Sequence, residues 1–275
     1  MNLSNFLNRA FGKIEKLFSG NRLRLLKTIY VNFRLLPLHD AIKIPIYIYG
    51  RTKLNCLNGR VEFCGTNVTS GMIKLGRLDN VYSTPRRSTI FLASNSILRF
   101  NGKFVASNGY LFHLKDNALL DFGKYVTLGD NVSIICANKI VIGNYTQITF
   151  NCYIVDSNFH YTIDLNSKEI KRREGMVLLG ERNWIGNSSY IAKGTITGSG
   201  FIIGTGSFVN KSFNGVNDAM IIGRPAEIKK TGYTRILSFA REREIELRFK
   251  ETDEERLLYE KSYIDPYDDI EQFFV

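Results

Sequence analysis

Three histidines, His39, His113 and His160, are the side chains best suited by type to exchange protons near neutral pH. His39 lies in a basic stretch beside Pro37 and His113 lies within a regular apolar repeat, so both read as structural. His160 differs. It follows Ile154-Val155-Asp156-Ser157-Asn158-Phe159, where a six-residue apolar period breaks, and the period resumes only at Leu179. A segment thrown out of a regular scaffold is a common seat of function, and an imidazole there is a candidate general base. Asp156, Asp164 or a turn carbonyl is available to accept its second ring N–H, with Asp156 preferred. No other chemistry competes strongly. Cys56, Cys64, Cys136 and Cys152 show neither zinc-ligand nor Cys-x-x-Cys spacing and read as buried free thiols. No serine stands in a Gly-x-Ser-x-Gly elbow, and three scattered histidines do not converge on zinc, so no metal is expected.

The scaffold that must hold His160 is a repeat. Steps of six from Leu179 reach Ile185, Ile191, Thr197, Ile203 and Val209, and two further steps reach Ile221. The same step links Leu92, Leu98, Phe104 and Tyr110, then Leu114, Leu120 and Val126, then Leu128, Ile134 and Ile140, then Ile142, Ile148 and Ile154, with frame shifts between runs. A period of six suits neither a helix nor a long hairpin. It suits a short strand plus a turn, three of which close a triangular coil that stacks on the next. Proline would remove a ladder donor, and none occurs between Pro85 and Pro225. The expectation is a mainly β chain wound as a parallel β-helix.

Two basic or charged segments flank this solenoid. Residues 1–53 carry ten basic side chains against Glu15 and Asp40, whereas residues 233–275 carry seven basic and twelve acidic ones, within a total of +11 over 275 residues. Leu3, Phe6, Leu7, Ala10, Phe11, Ile14, Leu17 and Phe18 mark an amphipathic helix over residues 1–18 that could touch an anionic membrane surface or pack on protein. A second helix is expected over 23–36, ending before Pro37, and others from Thr234 to about Lys250 and from Asp253. The expected domains are 1–53, a helical head; 54–232, the solenoid with a loop at 157–177; and 233–275, a helical tail. The start lacks the apolar segment of a secretory signal and no 18-residue apolar run exists, which points to the cytoplasm, with peripheral contact at the inner membrane face. The 33 tyrosines and phenylalanines are dispersed through the repeat instead of alternating with arginine, so no nucleic-acid partner is expected.

Trp184-Ile185-Gly186, then Gly204-Thr205-Gly206-Ser207-Phe208-Val209-Asn210-Lys211, then Ile222-Gly223-Arg224-Pro225-Ala226-Glu227-Ile228-Lys229-Lys230 follow the loop in order. Together with His160 and the loop length they resemble the hexapeptide-repeat acyltransferases, in particular sugar O-acetyltransferases of the galactoside and maltose type, most strongly over residues 126–230. The resemblance implies a left-handed parallel β-helix, a homotrimer with active sites between subunits, and acetyl-CoA as the acyl donor. It implies that His160 takes the proton from a sugar hydroxyl as that oxygen attacks the thioester, in direct transfer. It places Trp184, Asn187, Ala192, Thr205, Gly206, Asn210 and Lys211 along the cofactor groove, and Arg224, Lys229 and Lys230 near the phosphates. Glu227 departs from the pattern, since the galactoside enzymes carry a basic residue there.

The acceptor positions depart further: the enzymes' Asn and Asp that hold the sugar align with about Gly129 and Ala137. A simple galactoside is therefore not expected. The basic head resembles that of capsule and lipopolysaccharide O-acetyltransferases, which implies a glycan acceptor in surface polysaccharide biosynthesis. N-acetylation of an amino sugar, xenobiotic acetylation and a non-catalytic β-helix scaffold are the alternatives. A sugar nucleotidyltransferase is excluded because residues 1–89 contain no glycine-rich phosphate loop.

Overall fold

The computed structural model describes residues 22–77 and 84–258. Each short strand pairs in parallel with the strand one coil later, which sorts the strands into sheets of nine, seven and five. Only the last pair, Ala219–Gly223 with Ala226–Thr231, is antiparallel among these sheets. Three such sheets are the walls of a triangular prism, the parallel β-helix expected from the period of six. The register shows where that period is strict. Leu111 pairs with Ser133, Ser133 with Tyr153, Tyr153 with Tyr190 and Tyr190 with Phe208, so successive coils contain 22, 20, 37 and 18 residues. Only the last is three hexapeptides; the extra residues of the earlier coils are the frame shifts visible in the sequence.

Strands alternate outward and inward side chains, and the inward ones fill the prism. Leu179, Ile185, Ile191, Ile203, Val209 and Ile221 are each at most 3% exposed. The longer coils enclose larger groups: Phe100, Phe104, Phe112 and Phe122 are fully buried, with the Phe104 and Phe122 rings 4.5 Å apart. Thr197 is the polar member of the inward column. Its hydroxyl accepts from Asn183 Nδ2 at 2.7 Å, while Asn183 Oδ1 accepts from Phe201 N at 2.8 Å. Thr197→Val, though closer to the apolar consensus, is expected to lower stability by about 1–2 kcal/mol in denaturant unfolding because it strands a buried amide donor. At the next corner a Cβ on Gly198 would stand 1.9 Å from the Val216 carbonyl oxygen, so only glycine lets these coils approach.

Helix α1 (Leu25–Leu35) and the short α2 (Leu38–Ala41) cap the first coil, α1 lying where the helix over 23–36 is expected. The sheet ladder begins at Ile46–Ile48, inside the expected helical head. Helix α3 (Phe239–Lys250) starts later than Thr234; its cap is Ser238, whose hydroxyl accepts from Arg241 N at 3.3 Å. Residues 251–258 are not helical, against the helix expected from Asp253. The helix expected over residues 1–18 lies outside the described residues. Cys136 and Cys152 are buried as expected, but Cys56 and Cys64 are half-buried, because they lie near the wide first coils rather than on the packed inner column.

Candidate active site

The 37-residue coil leaves the prism after Tyr153–Val155, on the seven-stranded sheet, and returns at Met176–Leu179, on the five-stranded sheet. Its excursion is a tied finger. Gly175 N donates to Asp156 O at 2.8 Å, Asn158 N donates to Arg173 O at 2.9 Å, and Ser157 and Glu174 form an antiparallel bridge. Neighbouring coils buttress it: Lys115 Nζ stands 4.9 Å from the Phe159 ring centroid, Lys193 Nζ donates to Arg172 O at 2.8 Å, and Asn138 Nδ2 donates to Gly175 O at 2.7 Å. At its tip Lys168 N donates to Asp164 O at 2.8 Å.

His160 stands at the start of this finger. Phe159 adopts a left-handed conformation (φ 62°), its N–H donates to Ser157 Oγ at 3.0 Å, and His160 N donates to Asn158 O at 2.8 Å. That tight turn presents the imidazole to solvent, and among the described residues no hydrogen bond engages it. His113, by contrast, stacks on Phe91 at 4.3 Å, and burial together with Lys115 lowers its basicity. His39 lies 3.2 Å from Asp40 in the capping segment.

Asp156 has a different task from the one expected of it. It is fully buried, and its two oxygens accept from Ala137 N at 2.7 Å and Asn138 N at 2.8 Å, with the Cys136 thiol 3.5 Å away. It closes the corner of the coil below instead of orienting His160. Asp164 is committed to its own turn, accepting from Asn166 N at 2.8 Å and Ser167 N at 3.1 Å, which hold its carboxyl below the usual range. A turn carbonyl is the remaining acceptor of those expected.

The expected cofactor positions fall on two neighbouring edges of the prism. Asn187, Thr205 and Gly206 lie at the edge between the nine- and seven-stranded sheets, where Gly206 N donates to Asn187 O at 2.8 Å and Asn187 Oδ1 accepts from Phe150 N at 3.1 Å. Gly206 has φ 72° with nothing within 4 Å of a built Cβ, an open left-handed corner. Ala192, Asn210 and Lys211 lie at the next edge, the one from which the His160 finger springs. Between the edges runs a half-buried aromatic column that sequence reasoning passed over: Tyr153 stacks on Tyr190 at 5.0 Å and Tyr190 meets Phe208 at 5.5 Å. Burial pushes both phenols above their usual pKa. The signal was present, since each ring immediately precedes an inward aliphatic of the repeat.

Other expected residues stand elsewhere. Trp184 lies half-buried on the nine-stranded sheet, off those two edges, beneath Arg235 of the tail, whose guanidinium is 5.0 Å from the indole centroid. Arg224 is exposed in the cis Arg224–Pro225 turn, and Lys229 and Lys230 are exposed on the final strand, Lys230 over the Tyr233 ring at 4.3 Å. Glu227 pairs with Lys211 at 2.6 Å, and that ammonium holds the carboxylate below its usual pKa. The departure from the family pattern is thus the ion-pair partner of Lys211, a residue expected along the groove.

No protein-family model matches the chain. It is 26% identical over 152 residues, 52% of its own length and 76% of the relative's, to WbbJ of Escherichia coli K12, named as a lipopolysaccharide biosynthesis O-acetyl transferase. Over that stretch the chain is similar to a sugar O-acetyl transferase. Another relative of these transferases, WcaF of E. coli K12, is named for colanic acid biosynthesis and is 26% identical over 98 residues, 34% of this chain and 49% of WcaF, so the chain spans about half of that relative. Among solved structures, the polySia specific acetyltransferase NeuO aligns at 18% identity and a TM-score of 0.43, covering 76% of this chain and 99% of that one. AntD, an N-acyltransferase from Bacillus cereus in complex with dTDP and 3-hydroxybutyryl-CoA, aligns at 15% identity and a TM-score of 0.40, covering 79% and 97%.

Proposed function

We propose that the chain transfers an acetyl group from acetyl-CoA to a hydroxyl of a glycan, in the biosynthesis of a bacterial surface polysaccharide, with His160 as the general base. The observation that carries the reading is an exposed imidazole on a tied finger that springs from the prism edge shared with Ala192, Asn210 and Lys211. In this reading the Tyr153, Tyr190 and Phe208 column floors the groove for the apolar pantetheine arm. A second copy closes over that face, making a homotrimer with sites between subunits. His160 accepts the hydroxyl proton as the oxygen attacks the thioester carbonyl; the acyl C–O bond forms, the C–S bond breaks, and the coenzyme leaves as a thiol. Backbone N–H groups of a corner turn meet the developing oxyanion. Asn187, Thr205 and Gly206 hold the donor along one edge, and Arg224, Lys229 and Lys230 serve its phosphates. The reaction takes place in the cytoplasm, with residues 1–18 as a peripheral contact at the inner membrane face.

The test is acceptor-dependent release of coenzyme A thiol from acetyl-CoA, with extracted surface glycan as acceptor. Release that requires the glycan, from a species of three chains by light scattering, is the expected result; a monomer, or no release with any glycan, contradicts it. The Lys211–Glu227 pair adds a finer expectation. Glu227→Gln frees the ammonium and should tighten acetyl-CoA binding about two- to threefold in calorimetry, an advantage that fades as salt screens the groove.

A further inference from the structure

The capping helix α1 buries Thr28, Val31, Asn32 and Leu35 against the first coil and yet exposes a second, apolar face. Its inner face is partly polar: Asn32 Nδ2 donates to Ile46 O at 2.7 Å, Asn32 Oδ1 accepts from Ile46 N at 3.1 Å, and Thr28 Oγ1 accepts from Ile48 N at 3.0 Å. Those bonds satisfy the otherwise open edge of the first strand. The outer face carries Leu25, Leu26, Ile29, Tyr30 and Phe33, 49–85% exposed and spaced to form one stripe, and Leu38 and Ile42 extend it at 68% and 64%. Soluble proteins rarely leave such a patch open.

Beside the stripe lies a cavity of about 430 Å³ whose lining includes Arg24, Lys27, Arg51, Arg86 and Arg87 and, among the described residues, no carboxylate. Arg24 Nε donates to Gly50 O at 3.0 Å and Lys27 Nζ donates to Thr52 O, which fixes the start of α1 over the cavity. Among the described residues none of the five cations is in an ion pair. Five like charges converging on one cavity repel unless an anion joins them.

We infer that α1, α2 and this cavity form a docking surface for an anionic bilayer, with the apolar stripe lying in the interface and lipid phosphates entering the cationic cavity. Both halves of the surface point to that occupant. A soluble phosphate compound would leave the stripe unused, and a second copy meeting it face to face would bring the same cations into repulsion. No described helix is long and apolar enough to cross the membrane, so the contact is peripheral. The surface is distinct from residues 1–18 and stands apart from the transfer chemistry, because its test reads partitioning and not catalysis.

The experiment is co-sedimentation of the full chain with vesicles of phosphatidylcholine alone and of phosphatidylcholine with about one-third phosphatidylglycerol. The expected result is salt-sensitive binding to the anionic vesicles only. Leu26→Glu with Ile29→Glu should weaken it at least about tenfold, and Arg86→Gln or Arg87→Gln about fivefold each, with melting temperature unchanged because these side chains are exposed. Absence of binding to anionic vesicles, or binding indifferent to the α1 substitutions or to the arginines, overturns the proposal. So does a loss of assembled mass in the α1 variant without vesicle binding, which would assign the stripe to contacts between copies.

Discussion

Replacing His160 with Ala is expected to lower acceptor-dependent turnover about 10²- to 10⁴-fold while acetyl-CoA binding and melting temperature stay unchanged. The two halves of that result have separate physical origins. The rate falls because the hydroxyl must then give up its proton to water in the transition state, a loss of about 3–5 kcal/mol of stabilisation. Stability is preserved because the imidazole is exposed and hydrogen-bonded to no described residue, and because the finger is tied by Asp156, Asn158, Arg173 and Gly175 backbone groups that the substitution leaves alone. Steady-state kinetics beside calorimetry separate the two. Full turnover in His160→Ala removes the base assignment, and a parallel loss of binding assigns His160 to donor binding instead.

Asp156 predicts the opposite pattern. Its buried carboxylate satisfies the Ala137 and Asn138 N–H groups of the coil below, so Asp156→Ala strands two buried donors at one corner. The expected loss is about 3 kcal/mol, a fall of roughly 6–12 °C in melting temperature for a chain of this size. Asp156→Asn should lose nearly as much, because its amide turns a donor toward a donor. Were Asp156 an orienting partner of His160, Asn would spare the fold and damage only the rate. Thermal melting of both variants, repeated in the His160→Ala background, distinguishes the cases: equal losses in the two backgrounds mark a role independent of the imidazole.

The contrast between these residues shows what the sequence made legible. His160 could be found because a strict spatial period makes any interruption visible, and 37 residues between the paired Tyr153 and Tyr190, against 18 between Tyr190 and Phe208, is a large interruption. The role of Asp156 could not be found the same way. Its partners lie one coil below, so linear proximity to His160 misleads while the stacking neighbours Ala137 and Asn138 are invisible to local pattern. The neighbour of Trp184 is equally invisible to local pattern, since Arg235, whose guanidinium stands over the indole, comes from the tail. Glu227 stands out in the sequence as a departure from the family pattern, and its pairing with Lys211, sixteen residues away, is visible only in three dimensions. Helix α1 was legible as a helix, but which of its apolar residues stay exposed depends on the side that meets Ile46–Ile48, a tertiary fact.

The most direct test of the central claim is a crystal structure of the chain with coenzyme A. The expected complex holds the thiol between two copies, over the Tyr153, Tyr190 and Phe208 column, with a His160 nitrogen placed about 3 Å, directly or through one water, from a space that an acceptor hydroxyl can fill. Coenzyme A bound on another face of the prism, or bound with His160 turned away from its sulfur, would contradict the claim and leave only the solenoid standing.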